Sequence, residues 1–562
     1  MTAEPRNATP ISEELGDFTT TKRVVPLTLL AAVIGVLSAY LALGLLKAIS
    51  LFTNLFFFQR VSLENASPAQ HHLGYAVVLV PVVGALLIGL LARYGSEKIR
   101  GHGIPEAIEA ILVRGSRVEP RVALLKPLSS AISIGSGGPF GAEGPIIMTG
   151  GAFGSLIAQC FELTSAERKT LLVAGAAAGM SATFDAPLAA ALLAVELLLF
   201  EWKPRSMIPV SVASVVAASV RPYLLGVGPI FPVPSLAAAE VHPTWSLVLG
   251  SVACGLAAGA MSGLLTRGVY FFEDAFLKLP IHWMWWPAIG GLTIGIGGLI
   301  EPRAMGVGYD TIEALLHGEL LGKALLVLMV VKATIWVVSL GSGTSGGVLA
   351  PLLIMGASLG GLEAHVLPDM GRGFWPLVSM AAILGGTMRS PFTGIVFALE
   401  LTHAWSMVIP LLLAVPMAHA FTVLVLKRSI LTEKVSRRGF HLSREYATDP
   451  LEILFVREVM RTDSDALARS VAAFGEGAGA AAGKMPVAHP GEPLRTAVYR
   501  MAQTARTRLP VVAGREPTGV VGEITLEDML AARVRHLEEE QRRERVLLRK
   551  VPFPRSFARR AR

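Results

Sequence analysis

Charge is scarce in this sequence: Asp, Glu, Lys and Arg make up 16% of 562 residues, against about 25% in soluble globular chains. So few charges cannot keep a surface of this length in water, which excludes an ordinary soluble enzyme. Apolar residues at 52% exclude a disordered chain, and the mean hydropathy of +0.56 agrees. Cysteine is nearly absent. Cys160 and Cys254 both lie in apolar stretches, which leaves no disulfide framework or thiolate cluster and makes them small core residues. A nucleophile–base pair, a His/Cys metal set and a phosphate loop are missing too, so no catalytic residue, metal or cofactor is expected. The motif GREPTG (514–519) reads only as a turn. The first 20 residues are polar and acidic, unlike a cleavable leader.

The formal charge of +8 does not indicate nucleic acid. Basic residues gather beside apolar segments and in the two tails, the distribution of a positive-inside membrane protein. The run 24–58 is almost wholly apolar and exceeds the ~20 residues that cross a ~30 Å hydrocarbon layer, so a long, tilted first helix is expected. Further apolar runs at 75–93, 169–199, 206–225, 245–265, 285–300, 323–340, 374–400 and 406–426 are short or broken by Gly and Pro. Irregular backbone at membrane depth is tolerated only when buried in protein or lining a polar cavity, so the breaks mark the working region. Lys22 and Arg23 precede the first run, and Lys427, Arg428, Lys434, Arg437 and Arg438 follow the last. Both termini are therefore expected in the cytoplasm, with the protein a multi-pass component of the plasma (inner) membrane.

Three pairs of blocks recur in one order. GHGIPEAIEAIL (101–112) matches GVGYDTIEALL (306–316), GSGGPFGAEGPIIMTGGAFG (135–154) matches GSGTSGGVLAPLLIMGASLG (341–360), and FDAPLAAALLAVEL (184–197) matches MRSPFTGIVFALEL (388–401). The offsets are 204 to 206 residues, pairing Glu109 with Glu313, Gly135 with Gly341 and Glu196 with Glu400. A duplicated membrane unit follows, with repeats at roughly 75–225 and 285–430. Duplicated halves with Gly-broken segments at corresponding places point to a transporter or channel whose site lies where the halves meet. The expected organisation is a cytoplasmic segment 1–23, a transmembrane domain 24–440, a small α/β unit 441–540 and a basic tail 541–562. Within the α/β unit, LFVREVM (454–460) reads as a strand followed by an amphipathic helix, then Leu509–Val512 as a short strand, a Gly/Pro/charged turn and another strand and helix, while 468–484 is Ala/Gly-rich and reads as a loose segment.

Each Gly-rich block precedes residues suited to a helix, so several helix N-termini converge at the centre of the repeats. Their free N–H groups and dipoles bind anions without a buried guanidinium. Glycines in GGAFGSL and AGAAAG are better explained by close helix packing; those in GHGIP, GSGGPFGAEGP and SGGVLAP suit an ion site.

GHGIPE, GAEGP, GGVLAP and SPFTGIVFALELT, in this order over about 24–440, resemble the CLC family of chloride channels and proton-coupled chloride exchangers. The resemblance implies an all-α polytopic homodimer in lipid, each subunit an inverted repeat of tilted, broken helices with its own pore. Chloride or a similar anion is the implied ligand. The region 441–540 resembles a CBS domain, with one unit of the usual pair evident, so adenine nucleotide binding is not expected. By resemblance, Glu143 is the gating glutamate, which occupies the outer anion site when ionised and leaves when protonated. His102 stands where a serine commonly contacts the central anion; an imidazole there would link its protonation to anion occupancy. Gly103, Ile104, Gly141, Ala142, Gly144, Gly347, Val348, Leu349 and Ala350 complete the anion-binding backbone, and Leu431 takes the inner-gate position usually held by tyrosine. Leu197 replaces the inner proton-transfer glutamate of exchangers, and its neighbour Glu196 either helps a proton or is structural. On Leu197 the expectation is a passive chloride channel. The alternatives are proton-coupled exchange of chloride or another anion and, in a different class, a membrane-embedded sensor signalling through the CBS-like unit.

Overall fold

The computed structural model describes residues 20–113, 115–238, 241–440, 451, 454–464, 467–468, 486–513 and 519–541. The expected loose segment, the GREPTG turn, most of segment 1–23 and the basic tail lie largely outside the described residues. Among the described residues, eighteen α-helices precede residue 440. The first eight are α1 (Val24–Phe58), α2 (Leu79–Tyr94), α3 (Ile104–Val113), α4 (Pro120–Gly135), α5 (Glu143–Gln159), α6 (Ser165–Phe184), α7 (Pro187–Leu193) and α8 (Pro204–Leu225). A short α9 (Pro234–Ala237) leads into α10 (Trp245–Leu277), α11 (Trp286–Ile300), α12 (Tyr309–Leu316), α13 (Lys323–Gly341), α14 (Leu349–Glu363), α15 (Phe374–Met388), α16 (Pro391–Thr402), α17 (Val408–Val425) and α18 (Ile430–Arg437). Among the described residues, seven helical segments are long and apolar enough to cross a membrane. Helix α1 spans 35 residues, about 52 Å at 1.5 Å per residue, which a ~30 Å layer accommodates by tilt.

The duplication is visible in the packing and extends beyond the sequence blocks. Helix α1 packs on α4, α6 and α8, and α10 packs on the corresponding α13, α15 and α17. The helices that join the two halves run antiparallel. A Cβ on Gly295, late in α11, would meet the carbonyl of Val78 at the start of α2, while one on Gly89, late in α2, would meet the carbonyl of Met284 just before α11. Corresponding helices that meet head to tail make the repeats inverted.

The α7–α16 pair shows the same reciprocity. Helix α7 continues as a π-helical turn, Ala194–Leu199, and there Glu196 accepts from the backbone N–H of Phe392 (3.2 Å) and Thr393 (2.8 Å) at the start of α16. Glu400, late in α16, accepts from the N–H of Leu188 (3.0 Å) and Ala189 (2.8 Å) at the start of α7. Each carboxylate thus caps the other repeat's helix, using N–H groups that a helix start leaves unpaired. Small residues govern the α5–α6 contact, as the sequence suggests: a Cβ on Gly150 would strike the carbonyl of Gly175, and one on Gly175 the carbonyl of Gly150.

The C-terminal unit holds α19 (Val456–Val459), α20 (Leu494–Thr504), strands β1 (Arg508–Val512) and β2 (Val520–Thr525), and α21 (Leu526–Gln541). The strands pair antiparallel, Arg508 opposite Thr525. Its core contains Val456, Leu494, Leu509, Val511, Ile524 and Met529, and α21 also packs on α6 of the membrane domain. The strand expected at 454–460 is instead a helical turn, because the Glu458 carboxylate accepts from the Phe455 N–H at 2.9 Å and nucleates it.

Removing either reciprocal cap should leave two N–H groups without their partner, at about 1–3 kcal/mol for each one that stays buried. Glu400→Ala and Glu196→Ala should each lower the thermal unfolding midpoint in detergent, with the Gln variants intermediate.

Candidate functional site

The three Gly-rich loops meet at one point. Gly141 and Gly347 exchange backbone hydrogen bonds, Gly141 N–H to the Gly347 carbonyl at 3.2 Å and Gly347 N–H to the Gly141 carbonyl at 2.9 Å. Gly101 forms a parallel bridge with Ser345. The His102 carbonyl lies against Gly144, where a Cβ would collide with it. The N-termini of α3, α5 and α14, one of them from the second repeat, are thereby brought to the same place. This arrangement needs no cationic side chain to attract an anion, since free amide N–H groups and the positive helix ends supply the field.

Glu143 is the first residue of α5 and is fully buried. Its carboxylate lies on the backbone of Gly141 and beside Gly347, in space that a Cβ on either glycine would invade. Neither oxygen meets hydrogen-bond geometry with any donor; the backbone N–H groups of Glu143 and Ala350 pull on it electrostatically. An ionisable group left without a direct partner at this depth is costly, and the electropositive cradle offsets part of that cost.

His102 is 2% exposed and its Nδ1 has no partner, so the ring is not tied to a backbone carbonyl through that nitrogen. Ile104, Ala142, Val348, Leu349 and Ala350 are fully buried around the cradle, as are Gly103, Gly141, Gly144 and Gly347. Leu431 is buried in α18, which packs on α3. Leu197 is fully buried in the π-helical turn, which also touches α3. Glu196 faces α16 as a cap.

Two buried lysines escaped the sequence reading. Lys126 in α4 donates to the carbonyls of Ile99 (2.8 Å) and Gly101 (2.7 Å) and to Ser345 Oγ (3.1 Å). Lys332 in α13 donates to the carbonyls of Ala304 (2.9 Å) and Gly306 (3.0 Å). They stand 206 positions apart, the offset of the glycine blocks, so the repeat itself was the signal that could have found them. Each anchors the loop that opens α3 or α12. Arg438, just after α18, pairs with Glu106 at 2.8 Å and also with Glu109, while Glu106 accepts the Gly103 N–H at 2.8 Å. The segment leaving the membrane domain is thus one ion pair away from the His102 loop.

Residues 84–423 match the profile of the family described as "Voltage gated chloride channel", and 456–535 match that of the CBS domain. The chain belongs to the voltage gated chloride channel family. Members transport anions across membranes, and this one is a multi-pass membrane protein carrying a CBS domain. It is 31% identical over 350 residues to a putative chloride channel protein ClcB-like of Ralstonia nicotianae, covering 60% of this chain and 81% of that one. It is 31% identical over 407 residues to the H(+)/Cl(−) exchange transporter ClcA of Salmonella paratyphi B, covering 70% and 84%. A slow cyanobacterial Cl−/H+ antiporter shares the fold with a TM-score of 0.66 and 22% identity, over 75% of this chain and 99% of that chain.

The open Nδ1 of buried His102 can donate a hydrogen bond when it carries the proton. His102→Ala should weaken chloride binding about tenfold or more, as expected for the loss of a hydrogen bond to a charged group, whereas His102→Ser should keep most of the affinity. Calorimetry on purified protein checks this.

Proposed function

We propose that the protein exchanges chloride for protons, with Glu143 competing with the anion for the cradle formed by the backbone at 141–144 and 347–350. The observation that carries this reading is the Glu143 carboxylate lying in the cradle without a hydrogen-bonded partner. Such a group leaves when an anion displaces it or when a proton neutralises it, so one side chain can answer to both substrates. The exchange activity in the name of the Salmonella relative supports coupling.

Passive conduction is the second reading, and Leu197 favours it. A buried leucine cannot carry a proton on the inner side, and the reciprocal capping by Glu196 engages that acid as well. In the exchange reading, water carries the inner leg. His102, with Gly103 and Ile104 behind it, contacts the central anion, and Leu431 makes the inner gate apolar. We place both termini in the cytoplasm, in the plasma (inner) membrane. Two subunits associate through apolar helix faces, each keeping its own pathway, and the remaining exposed apolar residues, such as Leu79, Val215 and Ile296, face lipid.

Reconstituted vesicles test the two readings. Under an imposed chloride gradient, uphill proton movement at a fixed ratio supports exchange, and chloride current with no proton movement supports the channel. Glu143→Gln mimics the neutral, displaced acid. It should raise chloride flux several-fold at neutral pH, flatten its pH dependence and abolish proton movement.

A further inference from the structure

Tyr309 opens α12 directly after a turn in which Gly306 and Gly308 take φ of +63° and +77°. Those left-handed conformations favour glycine, and Lys332 holds the turn through the Gly306 carbonyl. The phenol ring is wedged edge-on against Phe184 (6.2 Å between centroids, 83°) and Phe231 (5.8 Å, 64°), and Phe184 in turn meets Phe397 at 5.2 Å. The ring therefore has little freedom to move. Its hydroxyl is nonetheless buried without a hydrogen-bond partner, which is rare and costs about 1–3 kcal/mol.

Glu143 is the charged group that acts on this hydroxyl, and both carboxylate oxygens of Glu143 are also unpartnered. Two orphaned polar groups, one able to donate and accept and the other an acceptor when ionised, thus feel each other without being hydrogen-bonded. Tyr309 also lines a cavity of about 630 Å³. That cavity is reached by the second half of α1 and by Thr183 at the end of α6, far from the Arg23–Glu167 pair that joins the starts of those helices. This open space lies on the Tyr309 side of the pair, beside α12, which packs on α14 of the cradle.

We propose that the Tyr309 hydroxyl is the outer latch of Glu143: it hydrogen-bonds the carboxyl group once it has left the cradle, and so sets how long the anion path stays open. The inference rests on Glu143 being the gate. Other charged groups near the pair are Lys332 from α13, which acts on Glu143, and Asp310 from α12, which acts on Lys332. Farther out, Lys47 of α1, Glu313 of α12 and Arg221 of α8 line the cavity, with Arg221 paired to Asp185 at 3.6 Å.

Tyr309→Phe keeps the ring and removes only the hydroxyl. Chloride efflux from vesicles should fall about three- to tenfold, the range expected for losing one hydrogen bond, and the pH of half-maximal efflux should move about 0.5 to 1 unit toward acid, the same fold-change on a pH scale. In a Glu143→Ala background, Tyr309→Phe should change neither quantity. No effect in the wild-type background overturns the latch. An equal effect in both backgrounds overturns it too, since the hydroxyl would then serve the anion or the fold rather than Glu143. Wild-type flux and pH response in Glu143→Ala alone would overturn the gate itself, a result separate from either of these.

Discussion

Two hydrogen bonds between Gly141 and Gly347 hold the centre of this molecule together. They join backbone from the two repeats at the point where α5 and α14 begin, and they can form only because neither residue carries a Cβ. A side chain on Gly141 would occupy the place of the Glu143 carboxylate, and one on Gly347 would press on the Gly141 carbonyl. Once that contact exists, two helix N-termini are aimed into one cradle, and a third follows through the fit of the His102 carbonyl onto Gly144. The field there comes from backbone dipoles that do not reorganise when an anion arrives. That is the condition under which one neutralisable carboxylate can trade places with it.

Inversion of the repeats gives each half what the other lacks. Glu196 caps α16 and Glu400 caps α7, so neither helix start is left with bare N–H groups inside the bundle. Lys126 and Lys332 perform matched tasks on opposite sides, each tethering two loop carbonyls ahead of a short helix. The match is not complete. Lys126 also reaches Ser345 of the other repeat, and the loop it anchors carries His102 where the opposite loop carries Val307. The two loops are built on one plan with different chemistry.

The membrane domain ends in a helix bound by charge rather than by apolar packing alone. Arg437 pairs with Asp274 of α10, Lys434 lies 3.8 Å from Glu273, and Arg438 reaches Glu106. Glu106 in turn holds the Gly103 amide. The chain that runs on to the CBS domain therefore touches both long α10 and the loop that carries His102, and α21 rests on α6. The C-terminal unit and the His102 loop are thus linked through a short chain of contacts.

The sequence by itself determined the membrane class, the duplication, the three Gly-rich breaks and the candidacy of Glu143 and His102. Composition, a constant offset and backbone-breaking residues are local properties that survive without coordinates. The first helix was legible from Val24 to Phe58, because a run that apolar has no competing structure in lipid. Tertiary structure alone decided the inversion of the repeats and the extension of the correspondence to α1 and α10, whose sequences have diverged while their packing has not. It also decided the helical turn at Val456–Val459, where one capping carboxylate outweighs the strand pattern. The roles of Glu196 and Lys126 and the surroundings of Tyr309 were likewise invisible, since each depends on which groups the packing brings together: Glu196 meets α16 about two hundred positions on, and Lys126 reaches Ser345 of the other repeat. Hydrophobic pattern specifies which segments are buried; the partner that a buried polar group meets is specified only by how the segments pack.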